Sequence, residues 1–141
     1  SKIDSVMNFI NNSNISLPLY SSKVPAGFPS PADDHMEGKL DLNTHLVKHP
    51  TATFFVKASG DSMLGAGIHD GDILVVDRSL EPRKGKVVIA AVDGQLTVKR
   101  LQKKGSKTFL VPENKKFRSI ELNENNDVKI WGVVTNVIHK V

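Results

Sequence analysis

The segment Gly60-Asp61-Ser62-Met63 follows Thr53–Ser59, a run rich in Phe, Val and Thr that reads as a strand. Gly60 permits backbone angles closed to other residues, so Ser62 is expected at a strand end with its hydroxyl and N–H accessible. A nucleophilic serine needs a base to take its proton and N–H donors for the oxyanion. No histidine is obviously placed to be that base. Lys99 is the candidate, within the strand-like run Leu96-Thr97-Val98-Lys99-Arg100-Leu101. Alternation puts Thr97, Lys99 and Leu101 on one face and Leu96, Val98 and Arg100 on the other. Burial beside Leu101 would lower the lysine pKa toward a neutral amine that can act as a base. The plainer reading stays open on these residues alone: Gly-Asp-Ser as a turn and Lys99 as a solvated cation.

Other chemistries find little support. The histidines His35, His45, His49, His69 and His139 are scattered, and none sits in an HExxH spacing, so no metal site is predicted. The absence of cysteine excludes a disulfide scaffold, a Cys-based zinc site and a thiol nucleophile. Neither GxxxxGK[ST] nor GxGxxG occurs, so no phosphate cradle or organic cofactor is implied. Asp70 and Asp72 flank Gly71 and read as turn formers. No apolar run approaches the ~20 residues that span a bilayer, and no secretory signal is visible. A soluble, cytoplasmic protein is the expectation.

The elements that must position Ser62 and Lys99 lie in the second part of a 141-residue chain. Pro18, Pro25, Pro29, Pro31 and Pro50 crowd the first part, which reads as an extended arm. Within it, Ile3, Val6, Met7 and Ile10 have helical spacing, and Asp41 can cap a short helix carrying Leu42, Leu46 and Val47. From residue 51 the chain reads as strands: Thr53–Ser59, Ile73–Asp77, Lys86–Val92, Leu96–Leu101, Thr108–Val111 and Val128–Ile138. Asp70-Gly71 and Asp93-Gly94 are short turns, the second a hairpin turn. No long amphipathic helix is expected there. The architecture predicted is mostly β: a small sandwich or partly open barrel over residues 51–141, with an N-terminal arm over residues 1–50.

Together these motifs carry a resemblance. Phe55-Val56-Lys57-Ala58-Ser59-Gly60-Asp61-Ser62-Met63, Asp70-Gly71-Asp72 and Thr97-Val98-Lys99-Arg100-Leu101 resemble the self-cleaving domain of UmuD, LexA and related phage repressors. Ala26-Gly27-Phe28-Pro29-Ser30-Pro31-Ala32-Asp33 looks like the UmuD cleavage segment, and Ile130-Trp131-Gly132-Val133-Val134 fits that subfamily. The resemblance implies a LexA/signal-peptidase-like β fold. It makes Ser62 the nucleophile, Lys99 the general base, and Ala26–Gly27 the scissile bond. It assigns the oxyanion to the Ser62 backbone N–H, helped by the Asp61 amide. It also implies slow self-cleavage that a RecA–single-stranded DNA filament favours by shifting the arm's population. The processed product would be a homodimer that joins a UmuC-like Y-family polymerase in translesion synthesis during the SOS response. About twenty-five residues precede the cleavage segment, too few for the helix-turn-helix that LexA carries. That favours a polymerase accessory over a repressor fragment. A non-catalytic binding module and a protease acting in trans, like the signal peptidases, are the competing readings.

The net charge is +4, from 19 Lys and Arg against 15 Asp and Glu. Lys99, Arg100, Lys103, Lys104 and Lys107 form a basic run. A solubilising hairpin tip is preferred over a nucleic-acid surface, because no aromatics are interleaved for base stacking. Phe54, Phe55, Phe109 and Trp131 are expected to fill the β core, with one or two at a dimer interface.

Overall fold

A computed structural model describes residues 15–20 and 36–141. They fall into two units divided between Val47 and Lys48. In the first unit, β1 (Ser16–Tyr20) pairs antiparallel with β2 (Met36–Asp41), Ser16 opposite Asp41. The helix α1 (Leu42–Leu46) follows at once. Its start is set by Asp41, whose carboxylate accepts from the N–H of Asn43 at 3.0 Å and of Thr44 at 3.4 Å. Those N–H groups have no partner within the helix, so an aspartate there is the expected cap. The helical spacing at Ile3–Ile10 and the segment Ala26–Gly27 lie outside the described residues.

The second unit is one open antiparallel sheet of seven strands. In chain order these are β3 (Thr53–Lys57), β4 (Ile73–Asp77), β5 (Val87–Val92), β6 (Gln95–Lys104), β7 (Lys107–Val111), β8 (Ile120–Glu121) and β9 (Val128–Ile138). In space the order is β3-β4-β9-β5-β6-β7-β8, with β3 and β8 at the edges among the described residues. The only helical pieces in this unit are single 3-10 turns at Pro50–Ala52 and Leu64–Ala66. The mostly β, partly open architecture read from the sequence is therefore the one observed. The strand bounds differ chiefly at β6, which continues to Lys104 because β7 pairs with its far end.

The long strand β9 makes the sheet work. It bonds β4 along one edge and β5 along the other, and its register slips once on each side. The extra residues are Thr135 against β4 and Trp131 against β5. Such bulges bend a strand and increase its twist. Gly132 sits where a Cβ would come within 2.7 Å of Val76 Cγ1 and 3.1 Å of the Asp77 carbonyl. Only glycine allows that approach.

Packing occurs on both faces. Leu74, Val75, Val76, Val88 and Ala90 are completely buried. Ala58, Met63, Ile68, Leu74, Val76 and Ile89 form one cluster. Val88, Ala90, Leu101, Leu110 and Val133 form another. Neighbours on β5 thus serve different clusters, as strict alternation requires. The fully buried core is aliphatic, and two of the four aromatics expected to pack are exposed. Phe54 packs against the first cluster, but Phe55 is 59% exposed and Trp131 41% exposed. Phe55 follows Phe54 and so points to the opposite face. Trp131 is the bulged residue and leaves the ladder.

Candidate active site

Strand β3 ends at Lys57, and the chain enters a turn pinned at both sides. Ala58 exchanges backbone hydrogen bonds with the β4 approach: its N–H donates to the Asp72 carbonyl at 2.7 Å, and its carbonyl accepts from Gly71 at 2.8 Å. Gly60 adopts φ +84°, a left-handed conformation that favours glycine, and its N–H donates to the Asp70 carboxylate at 2.8 Å. Beyond Ser62, the buried Met63 anchors the turn in the core, and its carbonyl accepts from Ala66 and Ile68. Ser62 is left half-buried on this scaffold.

Lys99 comes from β6, thirty-seven residues away in sequence, with its Nζ 3.1 Å from Ser62 Oγ. The same Nζ lies 2.9 Å from Thr97 Oγ1 and 3.0 Å from the Val98 carbonyl. The sheet explains how this is possible. β7 pairs β6 only from Arg100 to Lys104. Pro112 follows the last β7 residue and has no N–H with which to extend the ladder. Among the described residues no strand pairs with Gln95–Lys99 on that side, and the Ser62 turn approaches this stretch at Lys99. Lys99 is only 8% exposed, and burial pushes its pKa below the ordinary 10.5. A nearly dry ammonium loses hydration that its neighbours replace only in part, so the neutral amine is favoured.

A second support was not legible in the sequence. After Pro112 the backbone of Glu113 runs beside the turn. Its N–H donates to the Ser62 carbonyl at 2.8 Å, and its carbonyl accepts from Gly65 at 2.8 Å. A Cβ on Gly65 would meet that carbonyl oxygen at 2.7 Å, so the approach depends on glycine. Asn114 Nδ2 donates to the Asp61 carbonyl at 2.9 Å. The Glu113 side chain forms an ion pair with Arg100, whose guanidinium also donates to the Gly85 carbonyl at 2.6 Å. The residue after the candidate base thus holds the loop that holds the candidate nucleophile. The peptide planes follow. With the Asp61 carbonyl turned toward Asn114, the trans peptide aims the Ser62 N–H the opposite way.

The turn borders a cleft of about 270 Å³, lined among others by Val56, Ala58, Gly60, Ile89, Leu96 and Val98. Its lining is mixed, with Lys57, Ser59, Ser62 and Thr97 supplying polar side chains beside the apolar ones. The basic run does not act as one surface. Lys99 is buried and Arg100 is paired, while Lys103, Lys104 and Lys107 are exposed around the β6–β7 hairpin. Two histidines, distant in sequence, do converge: His69 and His139 flank Asp72, with ring centroids 4.6 Å apart. Asp72 is not a simple turn former, since its carboxylate is buried and bonded to His139 at 2.6 Å.

Comparison with known proteins agrees with this arrangement. The Peptidase S24-like family model matches residues 18–135. Protein SamA of Salmonella typhimurium is 49% identical over 123 residues, covering 87% of this chain and 85% of that protein. Protein MucA of Escherichia coli is 45% identical over 122 residues, 86% of this chain and 83% of that protein. The LexA repressor of Pasteurella multocida is 38% identical over 130 residues, 91% of this chain but 61% of the repressor. A family match across most of the chain, with relatives this similar along most of their length, settles the kinship that the Gly60–Met63 and Thr97–Leu101 motifs suggested: the chain belongs to the Peptidase S24-like family, as a UmuD-like SOS mutagenesis protein.

Proposed function

We propose that the chain is a self-cleaving serine endopeptidase with a Ser62–Lys99 dyad. We further propose that cleavage at Ala26–Gly27 releases a product that serves as a subunit of an error-prone translesion polymerase. The observation that carries the catalytic reading is the 3.1 Å approach of a buried lysine amine to the Ser62 hydroxyl. With Thr97 Oγ1 and the Val98 carbonyl taking the two N–H groups of a neutral amine, its lone pair faces Ser62.

The chemistry follows from that geometry. Lys99 accepts the Ser62 proton as Oγ attacks the Ala26 carbonyl carbon. The Ser62 N–H, helped by the Asp61 amide, stabilises the oxyanion. Lys99, now an ammonium, passes its proton to the Gly27 nitrogen as the C–N bond breaks. Water, deprotonated by Lys99, then hydrolyses the ester and restores the Ser62 hydroxyl. The step needs no metal or organic cofactor. Small residues at both sides of the scissile bond suit a strand pressed into a narrow cleft.

A homodimer of the product, its UmuC-like partner, and stimulation by a RecA–single-stranded DNA filament complete the proposal. Direct DNA binding is not part of it.

Intact mass after incubation at alkaline pH tests the reading, with and without RecA, an ATP analogue and single-stranded DNA. A fragment beginning at Gly27, absent in Ser62→Ala and Lys99→Ala, supports it. Gly27→Glu should block processing by filling the cleft. No fragment under either condition overturns the protease reading in favour of a non-catalytic binding module.

A further inference from the structure

Behind the nucleophile turn, the end of β9 meets the segment that leads into β4. Asp72 is the centre of this junction. Its carboxylate is 2% exposed, whereas the side chains of His69 and His139 are 49% and 44% exposed. Asp72 Oδ2 accepts from the His69 backbone N–H at 2.8 Å. Its Oδ1 lies 2.6 Å from His139 Nδ1, and His69 Nδ1 lies 3.8 Å from Oδ2. One ligand atom from each of the three residues lies within 4.8 Å of the others. A buried carboxylate is thus roofed by two half-exposed imidazoles.

We propose that His69, Asp72 and His139 form a binding site for a divalent transition-metal ion of the Zn²⁺ class. Two imidazoles and one carboxylate make a donor set that suits Zn²⁺, Co²⁺ or Ni²⁺ and is poor for Mg²⁺ or Ca²⁺. Ligands about 2.1 Å from a tetrahedral ion stand roughly 3.4 Å apart. His139 and Asp72 Oδ1 must therefore separate by less than about 1 Å, and the three ligand atoms, which now lie within 4.8 Å of one another, must close to that spacing by up to about 1.4 Å. Half-exposed rings permit both movements. The ion replaces the proton shared by His139 and Asp72 Oδ1, while Oδ2 keeps the His69 N–H and so the shape of the loop. Its open side faces solvent, where water completes the shell.

Two ligands come from the segment before β4 and one from just beyond β9. The former segment also holds Ala58 and Gly60 through Asp72, Gly71 and Asp70. An ion here clamps the base of the Ser62 turn without touching Ser62 or Lys99. Binding only to the folded chain raises its thermal midpoint by mass action.

Tag-free, chelator-stripped full-length protein is titrated with Zn²⁺ by calorimetry and with Co²⁺ by visible absorption. One saturable ion per chain, d–d bands from Co²⁺, and a higher melting temperature are expected. His69→Gln and His139→Gln should each weaken binding by at least ~10-fold. His45→Gln, in the other unit, should bind as the parent does. His139→Cys keeps three donors and should add a thiolate-to-Co²⁺ charge-transfer band. Melting of each variant in chelator separates loss of a ligand from loss of fold. Absence of saturable binding, undiminished binding in both glutamine variants, or no charge-transfer band in the cysteine variant would each overturn the site.

Discussion

Thr97 Oγ1 lies 2.9 Å from Lys99 Nζ, two positions back along the same face of β6. The contact favours the charged amine and also fixes its direction. Thr97→Val removes the oxygen and keeps the shape. The ammonium form then has one acceptor fewer, so the Lys99 pKa should fall further. Self-cleavage should slow by about 10-fold at its plateau, because the amine is less well aimed. The pH midpoint of the rate should move down, as measured by fragment mass against time.

The Lys99 ammonium has no lone pair, so in the proposed dyad cleavage should depend on the fraction that has lost its proton. Burial places that loss below pH 10.5. The rate should climb about tenfold per pH unit on the acid side and level off above the lysine pKa. Lys99→Arg should show no such rise. The same shift affects stability with a definite sign. Between the folded pKa and 10.5 the unfolded chain holds more protons, so unfolding free energy increases with pH across that interval. Denaturant midpoints over an alkaline series, compared with Lys99→Met, measure it.

Glu113 and Gly65 can be tested together. Gly65→Ala drives a Cβ to within 2.7 Å of the Glu113 carbonyl. It should cost about 1–3 kcal/mol of stability by forcing the two strands of backbone apart. Glu113→Gln spares that approach and removes only the ion pair with Arg100. It should leave the fold largely intact and slow cleavage by a smaller factor, read from denaturation and fragment mass on the same samples.

The other histidine–aspartate pair tests acid stability. Burial alone would raise the Asp77 pKa, but hydrogen bonds from Ser79 and the His49 contact at 2.6 Å hold it below 3.8. A carboxylate with a lowered folded pKa stabilises above 3.8 and loses that contribution as pH falls through the folded value. Asp77→Asn should melt about 3–6 °C lower at neutral pH, and the gap should close as the parent protonates in strong acid.

Much of this is legible in the amino-acid sequence, and the reasons are local. Alternation and turn chemistry are short-range, so Ile73–Asp77 and Val128–Ile138 emerge with their observed ends. The Asp41 cap is likewise decided within four residues. Residue types and motifs single out Ser62 and Lys99, although their approach spans most of the sheet order. What stayed hidden depends on partners far along the chain. The Glu113 clamp arises because β7 ends at Val111 and delivers Pro112 under the turn. His69 and His139 meet because β9 returns beside β4, sixty-odd residues later. The exposure of Phe55 and Trp131 depends on which face is covered, and composition does not say.

The turn Asp93-Gly94 joins β5 to β6 with both residues at positive φ, 49° and 83°, and Val92 directly opposite Gln95. Every position on β6 is thereby indexed from that turn, as teeth on a rack are indexed from one end. One inserted residue would reverse the facing of each side chain after it and carry the Lys99 amine to the wrong side of the sheet. Two inserted residues would restore the facing but displace the amine by about 6.6 Å, still out of reach of Ser62. The placement of Lys99, midway along β6, is therefore set by the length of the two-residue loop at the strand's start.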